Sequence, residues 1–511
     1  MRVFGRFLKC AAVASASLIG SSALASANEV VCRLPRGGTH ITFANEDTRE
    51  AMAWGPGGFA IAPDGTYWIA DTAARRLLHY GRDCQQLGVI EPKDVVGITA
   101  LAVSKDSLYV LDVSAAEPTV LHLGLSGVEH GRHVVDRRVT GVALGERGNL
   151  LVESDYGARF EQLLDRDGRV ARAAVAGLSR EGVSYQASPA DLSQNEAHTG
   201  TLTVGGRTVS VSVPNDLGGL RVLSVGSDGG FFAKLDEVAL VSDFRVDQTV
   251  RRYDREGRLL GMARVPLAER YTYVQANVAT APDGDAFILH TTREGAEIQR
   301  LVFRQTLPSI LPVVRERPVP ERLEAHPLAC RGAEDMALAG NHFADFVRGY
   351  SATNISGSCD GRTKPTFLVN ANTAYRGVAY DWGGFDTVAS YDSALYANKT
   401  AGDIHTAAVE SCSVGVDCSG YVSHAWGTPG KHGTSTLPNI SWVLPNRSSL
   451  AKGDILNCAD SHVVMFDYYT SNGIFMWEAT LSNNFDRAVH INREWAYFSA
   501  CYVPRRYNSK C

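Results

Sequence analysis

Apolar and polar positions in residues 40–305 recur with a period of roughly 35 to 50 residues. In the clearest copy, Gly58 to Tyr80, three short apolar runs are separated by an Asp-Gly pair and by a polar turn. Asp-Gly readily adopts the positive φ angles of a tight hairpin, so the unit is predicted to read strand, turn, strand, turn, strand. Related units begin near Thr99, Thr140, Thr201, Leu223 and Ala279. Repeated four-stranded units are typical of a β-propeller, and we predict about six blades within residues 28–305.

Three aspartates of this half, Asp71, Asp112 and Asp155, follow a strand in successive units. We interpret them as turn residues of the repeat rather than as calcium ligands, because such carboxylates commonly accept hydrogen bonds from nearby backbone N–H groups. The histidines of this half show no spacing typical of a metal site. The repeat therefore predicts a fold, and the ligand of the propeller, a protein or a glycan, stays open.

A proline-rich segment separates the two halves. Five of the nineteen prolines lie between Pro308 and Pro327, which favours an extended, semi-rigid path. We predict a linker over residues 306–335, few contacts across it, and two halves that fold separately. Residues 336–511 show longer helical patterns followed by short strands, which indicates an α+β domain and makes the chain multidomain.

The first 27 residues have the pattern of a secretory signal peptide. A basic start is followed by a short Ala/Ser/Leu/Ile run and by small residues that end at Ala27. No later segment has 18 uninterrupted apolar residues, so we predict no membrane span and a secreted or periplasmic mature protein. Of ten cysteines, Cys10 belongs to the signal, and the remaining nine allow four disulfides with one thiol left over.

The segment V-D-C-S-G-Y-V, residues 416–422, offers a chemical reason for that thiol to be Cys418. A cysteine at a helix start has a lowered pKa, because the N–H groups and the helix dipole favour the thiolate. A strand-like run, S-H-V-V-M-F, follows with His462, and a cysteine facing a histidine is typical of papain-like catalysis. Two alternatives stay open: Cys418 in a disulfide, and a zinc site of Cys412, Cys418, Cys458 and His462, whose spacing is looser than a usual zinc knuckle.

Further motifs occur in a fixed order around this segment. They are G-V-A-Y-D-W-G-G at 377–384, V-D-C-S-G-Y-V at 416–422, L-A-K-G-D-I-L at 450–456, S-H-V-V-M-F at 461–466 and I-F-M-W-E-A-T at 474–480. In this order they resemble the motifs of the NlpC-type cell-wall peptidases, a papain-fold family. The repeat of the first half resembles, more loosely, that of NHL-type propellers.

The resemblance to the NlpC type implies a role for each matching residue. Cys418 would attack an amide carbonyl and His462 would protonate the leaving amine, while Glu478 stands where the family most often has a histidine that orients the imidazole. The Tyr380 hydroxyl would help the backbone N–H of Cys418 to bind the oxyanion. Asp417 and Ser419 would help to recognise the amino end of a substrate, and Trp382 would line a substrate cleft or pack in the core.

From these motifs we expect an exported cysteine peptidase or amidase that cleaves amide bonds of peptidoglycan stem peptides, with the propeller for binding or targeting. The alternatives are a thiol deamidase or acyltransferase with another substrate, and a non-catalytic, propeller-based binding protein. We expect no metal or cofactor, and the net charge of −5 argues against a nucleic-acid partner.

The disulfide connectivity cannot be deduced from sequence alone. Within each half, we expect the local pairs Cys32–Cys84, Cys330–Cys359, Cys412–Cys458 and Cys501–Cys511.

Overall fold

The computed structural model describes residues 28–46, 51–188, 197–267, 273–314, 330–499 and 501–511. The predicted signal peptide, residues 1–27, and the middle of the predicted linker, 315–329, lie outside the described residues. The described chain is mostly β. None of its helices is both long enough and apolar enough to cross a membrane.

The first half is made of short strands. In chain order they are β1 (Glu29–Pro35), β2 (Gly58–Ile61), β3 (Tyr67–Asp71), β4 (Arg76–Tyr80), β5 (Gln86–Ile90), β6 (Ile98–Val103), β7 (Ser107–Asp112), β8 (Thr119–Gly124), β9 (Glu129–Val134), β10 (Val139–Leu144), β11 (Leu150–Ser154), β12 (Arg159–Leu164) and β13 (Val170–Val175). They continue with β14 (Leu178–Arg180), β15 (Val183–Ser188), β16 (Thr199–Val204), β17 (Arg207–Ser212), β18 (Asp216–Val225), β19 (Phe231–Leu240), β20 (Phe244–Tyr253), β21 (Leu259–Val265), β22 (Val278–Thr280), β23 (Ala286–Thr292) and β24 (Gly295–Arg300).

These strands form six four-stranded antiparallel sheets, an arrangement consistent with a β-propeller and with the predicted six blades. Five sheets contain four successive strands each, from β2–β5 to β18–β21. In the sixth, β22, β23 and β24 are completed by β1 from the start of the described chain, with Cys32 opposite Ile298. The first sheet meets the sixth where Phe59 N donates to Ala276 O at 3.1 Å. The first and last repeats are therefore joined through backbone contacts.

The Asp-Gly turns behave as the sequence predicts. Gly65 has a φ of +83° and donates its N–H to Ala62 O at 2.8 Å, while Ala62 N donates to Thr66 O at 2.9 Å. This closes the hairpin between β2 and β3. A residue with a Cβ would be strained at that φ, which explains the glycine.

The repeated aspartates hold neighbouring segments of the chain together. Asp112, fully buried, accepts hydrogen bonds from the backbone N–H groups of Val96 and Gly97, both at 2.8 Å, and from those of Ser114 and Ala115 at 3.1 and 3.2 Å. Asp71 accepts from Thr42 N at 2.9 Å and from Arg76 Nε at 2.8 Å. These contacts are those expected of structural carboxylates at the ends of strands.

The second half contains four helices and one larger sheet. Its elements are α1 (Ala333–Ala344), β25 (Val347–Gly349), α2 (Ala352–Ser356), β26 (Ala374–Arg376), α3 (Val388–Tyr396), β27 (Thr400–Ala401), β28 (Ser413–Val414), α4 (Cys418–Trp426), β29 (Ser441–Val443), β30 (Ile455–Cys458), β31 (His462–Thr470), β32 (Gly473–Thr480), β33 (Arg487–Arg493) and β34 (Val503–Tyr507). Five short 3₁₀ turns complete the described elements of the chain. The antiparallel sheet has the order β29-β34-β30-β31-β32-β33.

Helices α1 and α4 pack together against this sheet. The Tyr421 hydroxyl on α4 donates to Gly340 O on α1 at 2.7 Å, and Trp477 Nε1 on β32 donates to Asn341 Oδ1 on α1 at 2.9 Å. Both aromatic side chains are fully buried, so they fix the helices to the sheet through apolar packing as well as hydrogen bonds.

Four disulfides join eight of the described cysteines. Cys32–Cys84 is paired as predicted, whereas the other three predicted pairs are wrong: the structure has Cys330–Cys511, Cys359–Cys412 and Cys458–Cys501. The local pairing rule fails because the fold brings the two ends of the second half side by side, where Arg331 N donates to Ser509 O at 2.8 Å. Four disulfides indicate an oxidising, extracellular environment.

The expectation of few contacts between the halves is also wrong. Lys234 of the propeller half and Glu494 of the second half form an ion pair of 2.7 Å in which both side chains are buried. Asn472 Oδ1 accepts from Leu220 N at 2.7 Å, and Asn484 Nδ2 donates to Val96 O at 2.7 Å. Buried polar groups at a boundary need partners from the other side, which explains these contacts, and the separate folding of the two halves stays a prediction.

Candidate functional site

Cys418 is the first residue of α4 and lies outside all four disulfides. Asp417 precedes it in extended conformation and caps the helix, because its Oδ1 accepts from Gly420 N at 2.7 Å. Gly427, with a φ of +69°, ends the helix nine residues later. The thiol therefore stands at the positive end of a helix dipole, where a thiolate is favoured.

The glycine of the D-C-S-G motif has a packing reason. A Cβ on Gly420 would come within 2.3 Å of Gly384 O, which belongs to the W-G-G motif. Only a glycine lets the first turn of α4 approach the 377–384 segment this closely. The two motifs recognised in the sequence are thus neighbours in the fold.

Asp417 is surrounded by internal partners. Besides Gly420 N, its carboxylate accepts from Ser419 Oγ at 3.0 Å and from Gly383 N at 3.1 Å, and it forms an ion pair with Lys431. Asp417 and Ser419 are buried. In this conformation the two predicted substrate-binding residues anchor the start of α4.

His462 and Glu478 are brought together by the sheet. Met465 on β31 lies opposite Trp477 on β32, so these two side chains share one face of the sheet. Because side chains alternate along a strand, His462 and Glu478 both lie on the opposite face. His462 Nε2 lies 3.0 Å from Glu478 Oε2, with both side chains buried. The carboxylate predicted to orient the imidazole is in hydrogen-bonding contact with it.

Arg493, which the sequence analysis did not identify, completes this group. Its Nε and Nη2 donate to Glu478 Oε1 at 3.1 and 2.5 Å, and Nη2 also donates to Ser482 Oγ at 2.7 Å. The guanidinium lies over the ring of Tyr497, with its carbon 4.5 Å from the ring centre. One oxygen of Glu478, Oε1, therefore binds Arg493, while the other, Oε2, contacts His462 and accepts from the Tyr497 hydroxyl at 3.5 Å.

The ionisation of Glu478 follows from these contacts. Burial favours the neutral acid, but Arg493 and His462 together outweigh burial and hold the pKa of Glu478 below its usual value. The pKa of Arg493 is raised, because the Glu478 charge outweighs the burial that favours a neutral guanidine. Glu478 is an ionised acceptor at neutral pH, as a group that stabilises an imidazolium has to be.

Tyr380 and Trp382 lie in the segment beside the nucleophile. Tyr380 forms a parallel bridge with Val416, two residues before Cys418, and its backbone N–H donates to Asp486 O at 2.8 Å. Trp382 N donates to Asp403 O at 3.0 Å, and its half-buried side chain packs against the core of the second half. The backbone thus carries Tyr380 alongside the loop that leads into α4.

The candidate site is closed in this conformation. Cys418 is 0% exposed, His462 3% and Tyr380 1%. Tyr502 lies near Cys418. Burial is the main reason why the pKa of Tyr502 lies well above its usual value, and the charge of Cys418 contributes to this increase. The Tyr502 hydroxyl also donates to the sulfur of Met52 from the propeller half at 3.4 Å. A substrate can reach the thiol only if covering side chains move.

The zinc alternative is contradicted by the disulfides. Cys412 and Cys458, two of its four ligands, are bonded to Cys359 and Cys501. In the part of the chain that the structure describes, no three histidine, cysteine, aspartate or glutamate side chains are arranged to hold a metal ion.

Comparison with known proteins finds similarity in structure only. No protein-family model and no curated protein matches the chain. A streptogramin B lyase structure is 12% identical over 52% of this chain and 98% of its own length, with a TM-score of 0.29. Virginiamycin B lyase from Staphylococcus aureus is 12% identical over 51% and 98%, with a TM-score of 0.28. The WD40 repeats of RRP9 are 12% identical over 54% and 100%, with a TM-score of 0.33.

Proposed function

We propose that this protein is an exported cysteine peptidase or amidase of the NlpC type, which hydrolyses amide bonds of peptidoglycan stem peptides. One observation carries the proposal: the 3.0 Å contact of His462 with Glu478, at the start of a strand packed against the helix that Cys418 begins. The three residues singled out by their motifs thus belong to adjoining elements. The signal-like residues 1–27 and the four disulfides support export.

The chemistry would proceed through a thioester. The Cys418 thiolate attacks the amide carbonyl carbon, and the carbonyl oxygen becomes an oxyanion that the Cys418 backbone N–H and the Tyr380 hydroxyl stabilise. The C–N bond then breaks as the His462 imidazolium donates its proton to the leaving amine. Water attacks the thioester with His462 as base, which releases the acid and restores the thiol. Nε2 of His462 bonds to Glu478, so Nδ1 would be the nitrogen that exchanges the proton.

The test is digestion of purified peptidoglycan by the full-length protein, with mass spectrometry of the released fragments. We expect new amino and carboxyl ends within the stem peptides, and no release by Cys418→Ala. Ser423→Ala, which changes a buried hydroxyl further along the same helix, is the matched control and should keep the activity. Hydrolysis that persists in Cys418→Ala would contradict the proposal.

A second candidate, a thiol deamidase or acyltransferase acting on another amide, is favoured by the partners of Asp417. The Lys431 ammonium already occupies the carboxylate that would bind a substrate's amino end. A substrate with no amino group at that point suits this arrangement. Release of ammonia from glutamine-containing peptides, with intact peptidoglycan, would support this candidate over the first.

A further inference from the structure

Arg493 is the last residue of β33, and its neighbours in sequence, Asn492 and Glu494, contact the propeller half. Residues 492–494 are extended, so successive side chains point to opposite sides. Arg493 points toward Glu478, whereas Asn492 and Glu494 bind the propeller half. One short segment therefore contacts both the candidate site and the other domain.

Each propeller contact of this segment is buried. Lys234 Nζ donates to Glu494 Oε2 at 2.7 Å, and among the described residues no group donates to the other oxygen of Glu494. The Tyr156 hydroxyl donates to Asn492 O at 3.0 Å, and Asn492 Nδ2 donates to Asp155 Oδ1 at 3.2 Å. These bonds fix both the backbone and the side chains on either side of Arg493.

We infer that Arg493 is a positioning residue that binds the Glu478 carboxylate and aims it at His462, and that the propeller half holds Arg493 in place through Lys234–Glu494 and Tyr156–Asn492. The propeller then completes the catalytic site, in addition to any ligand it binds. This inference rests on the proposed function, because it assigns a role to groups around the Cys418 thiol.

The physical reason lies in the burial of Glu478. Without the guanidinium, a carboxylate that water cannot reach would take up a proton. A protonated Glu478 would donate to Nε2 of His462 and leave the imidazole unable to become the imidazolium that pairs with the thiolate. Displacing Arg493 by loosening Asn492 or Glu494 would act in the same direction with a smaller effect.

Few other groups near Glu478 change charge in the relevant range. Among the described residues, the charge of Glu478 acts on His462, on Arg493 and on three tyrosines, one of which, Tyr502, also lies near Cys418. The tyrosines are Tyr421, Tyr497 and Tyr502, and burial raises the pKa of each. A pH profile between acid and mildly alkaline conditions therefore reports on Cys418, His462 and Glu478.

The experiment measures the rate of Cys418 alkylation by iodoacetamide against pH, on the full-length protein with its disulfides intact. Only the thiolate reacts, so the midpoint of the profile reports its formation, while the plateau at high pH reports access to the buried thiol. We expect the midpoint of the wild-type protein well below the ~8.5 of an ordinary cysteine.

For Arg493→Gln we expect alkylation at about pH 6 to slow by roughly tenfold, which corresponds to a midpoint about one pH unit higher, with the plateau unchanged. Glu478→Gln should give a similar displacement, and Arg493→Lys should restore part of the rate. Lys234→Met should slow alkylation at the same pH by roughly threefold to tenfold. Tyr156→Phe removes only the hydroxyl that binds Asn492 O and keeps the inference testable if Lys234→Met does not fold.

Asp216→Asn is the matched control. Asp216 also pairs across the domain boundary, with Arg447 at 3.1 Å, but contacts neither Glu478 nor Arg493. Its profile should superpose on that of the wild-type protein. Shifted profiles for Arg493→Gln and for a propeller variant, with an unshifted control, would establish the inference.

Two other results separate the possible failures. In the first, the wild-type protein has a low alkylation midpoint and the pH profiles of Arg493→Gln and of the propeller variants superpose on that of the wild-type protein. This result would overturn the inference and leave the proposed function standing. In the second, the wild-type midpoint is about 8.5, which would show that the Cys418 thiolate is not activated and would overturn both the proposed function and the inference.

Discussion

Asp112 in the propeller half and Glu478 in the second half are both fully buried carboxylates, yet their pKa values move in opposite directions. Asp112 accepts four backbone N–H hydrogen bonds, and burial still raises its pKa. Glu478 faces the Arg493 guanidinium, and its pKa is lowered. The neutral donors around Asp112 do not outweigh the loss of water, whereas Arg493 and His462 together outweigh it at Glu478.

The comparison separates a structural carboxylate from a catalytic candidate. The partners of Asp112 are backbone groups whose charge never changes, so the carboxylate can only hold the chain together. One partner of Glu478 is the imidazole of His462, a group that can be neutral or positively charged. A buried carboxylate that contacts both a permanent cation and a titrating group is placed to stabilise the second group's charged form.

The largest expected effect concerns that titrating partner. In the proposed mechanism, His462 is both the proton donor for the leaving amine and the cation that pairs with the thiolate, and His462→Ala would remove both. We expect hydrolysis to fall at least about 10³-fold, comparable to the loss of a member of a catalytic triad. Initial rates of peptide release from peptidoglycan measure it.

The fold should survive this change. A His490→Ala control, on β33 of the same sheet and also paired with a carboxylate at 2.9 Å, should keep the rate within a few-fold. Equal losses in the two variants would mean that disruption of the sheet, and not chemistry, lowers the activity.

A third buried carboxylate, Asp381, extends the comparison to anionic neighbours. Burial, with the charges of Asp403, Asp386 and Asp417, raises its pKa to about 7. Between the usual value of 3.8 and about 7, the folded protein binds a proton that the unfolded chain has lost, so stability falls as pH rises through this window. Asp381→Asn stays neutral and lacks this decline.

We expect Asp381→Asn to equal the wild-type protein in stability near pH 4 and to exceed it above pH 7. The gain should be about 1.4 kcal/mol for each unit of pKa shift, up to about 4 kcal/mol. Urea unfolding at several pH values measures it. The exposed Glu334, changed to glutamine, is the control and should show no such gain. A gain that is constant with pH would mean that folding does not change the pKa of Asp381.

Tyr380→Phe tests the oxyanion role directly. The change removes one hydroxyl from a buried ring and should lower the turnover rate by roughly 10–1000-fold, the upper end being typical of a lost oxyanion donor. The pH midpoint of Cys418 alkylation should stay constant, because the oxyanion exists only after attack on a carbonyl. A displaced midpoint with normal turnover would assign Tyr380 to thiolate stabilisation instead.

Local patterns predicted the parts of the molecule that depend on neighbours in sequence. The Asp-Gly pairs specify hairpins because only a few residues adopt positive φ angles, and Asp417 specifies the start of α4 because its carboxylate reaches the N–H three residues on. His462 and Glu478 were recognisable because each lies in a short strand-like motif. All of these signals span fewer than about ten residues.

Contacts that depend on strand register or on where the chain ends lie could not be predicted from such short patterns. Arg493 follows Val489, the residue opposite Glu478, by four positions, so only the register of β32 with β33 puts both side chains on one face. Cys330 and Cys511 are 181 residues apart in sequence, and they form a disulfide because the two ends of the second half lie side by side. Lys234 in a central strand carries no sequence signal of a partner in another domain.

The smallest expected effect returns to Asp112. In Asp112→Asn, an amide NH₂ replaces the oxygen that accepts from Val96 N, so two donors face each other in a buried place. We expect a loss of about 1–3 kcal/mol in the free energy of unfolding, the usual result of leaving one buried donor without an acceptor. Below the unfolding transition, the pH midpoint of Cys418 alkylation and the rate of hydrolysis should equal those of the wild-type protein. Urea unfolding and alkylation of the same sample measure both quantities. A displaced alkylation midpoint would show that Asp112, although held by neutral backbone groups, also acts on the thiol through Val96 and Asn484. The distinction between a structural carboxylate and a catalytic candidate would then fail.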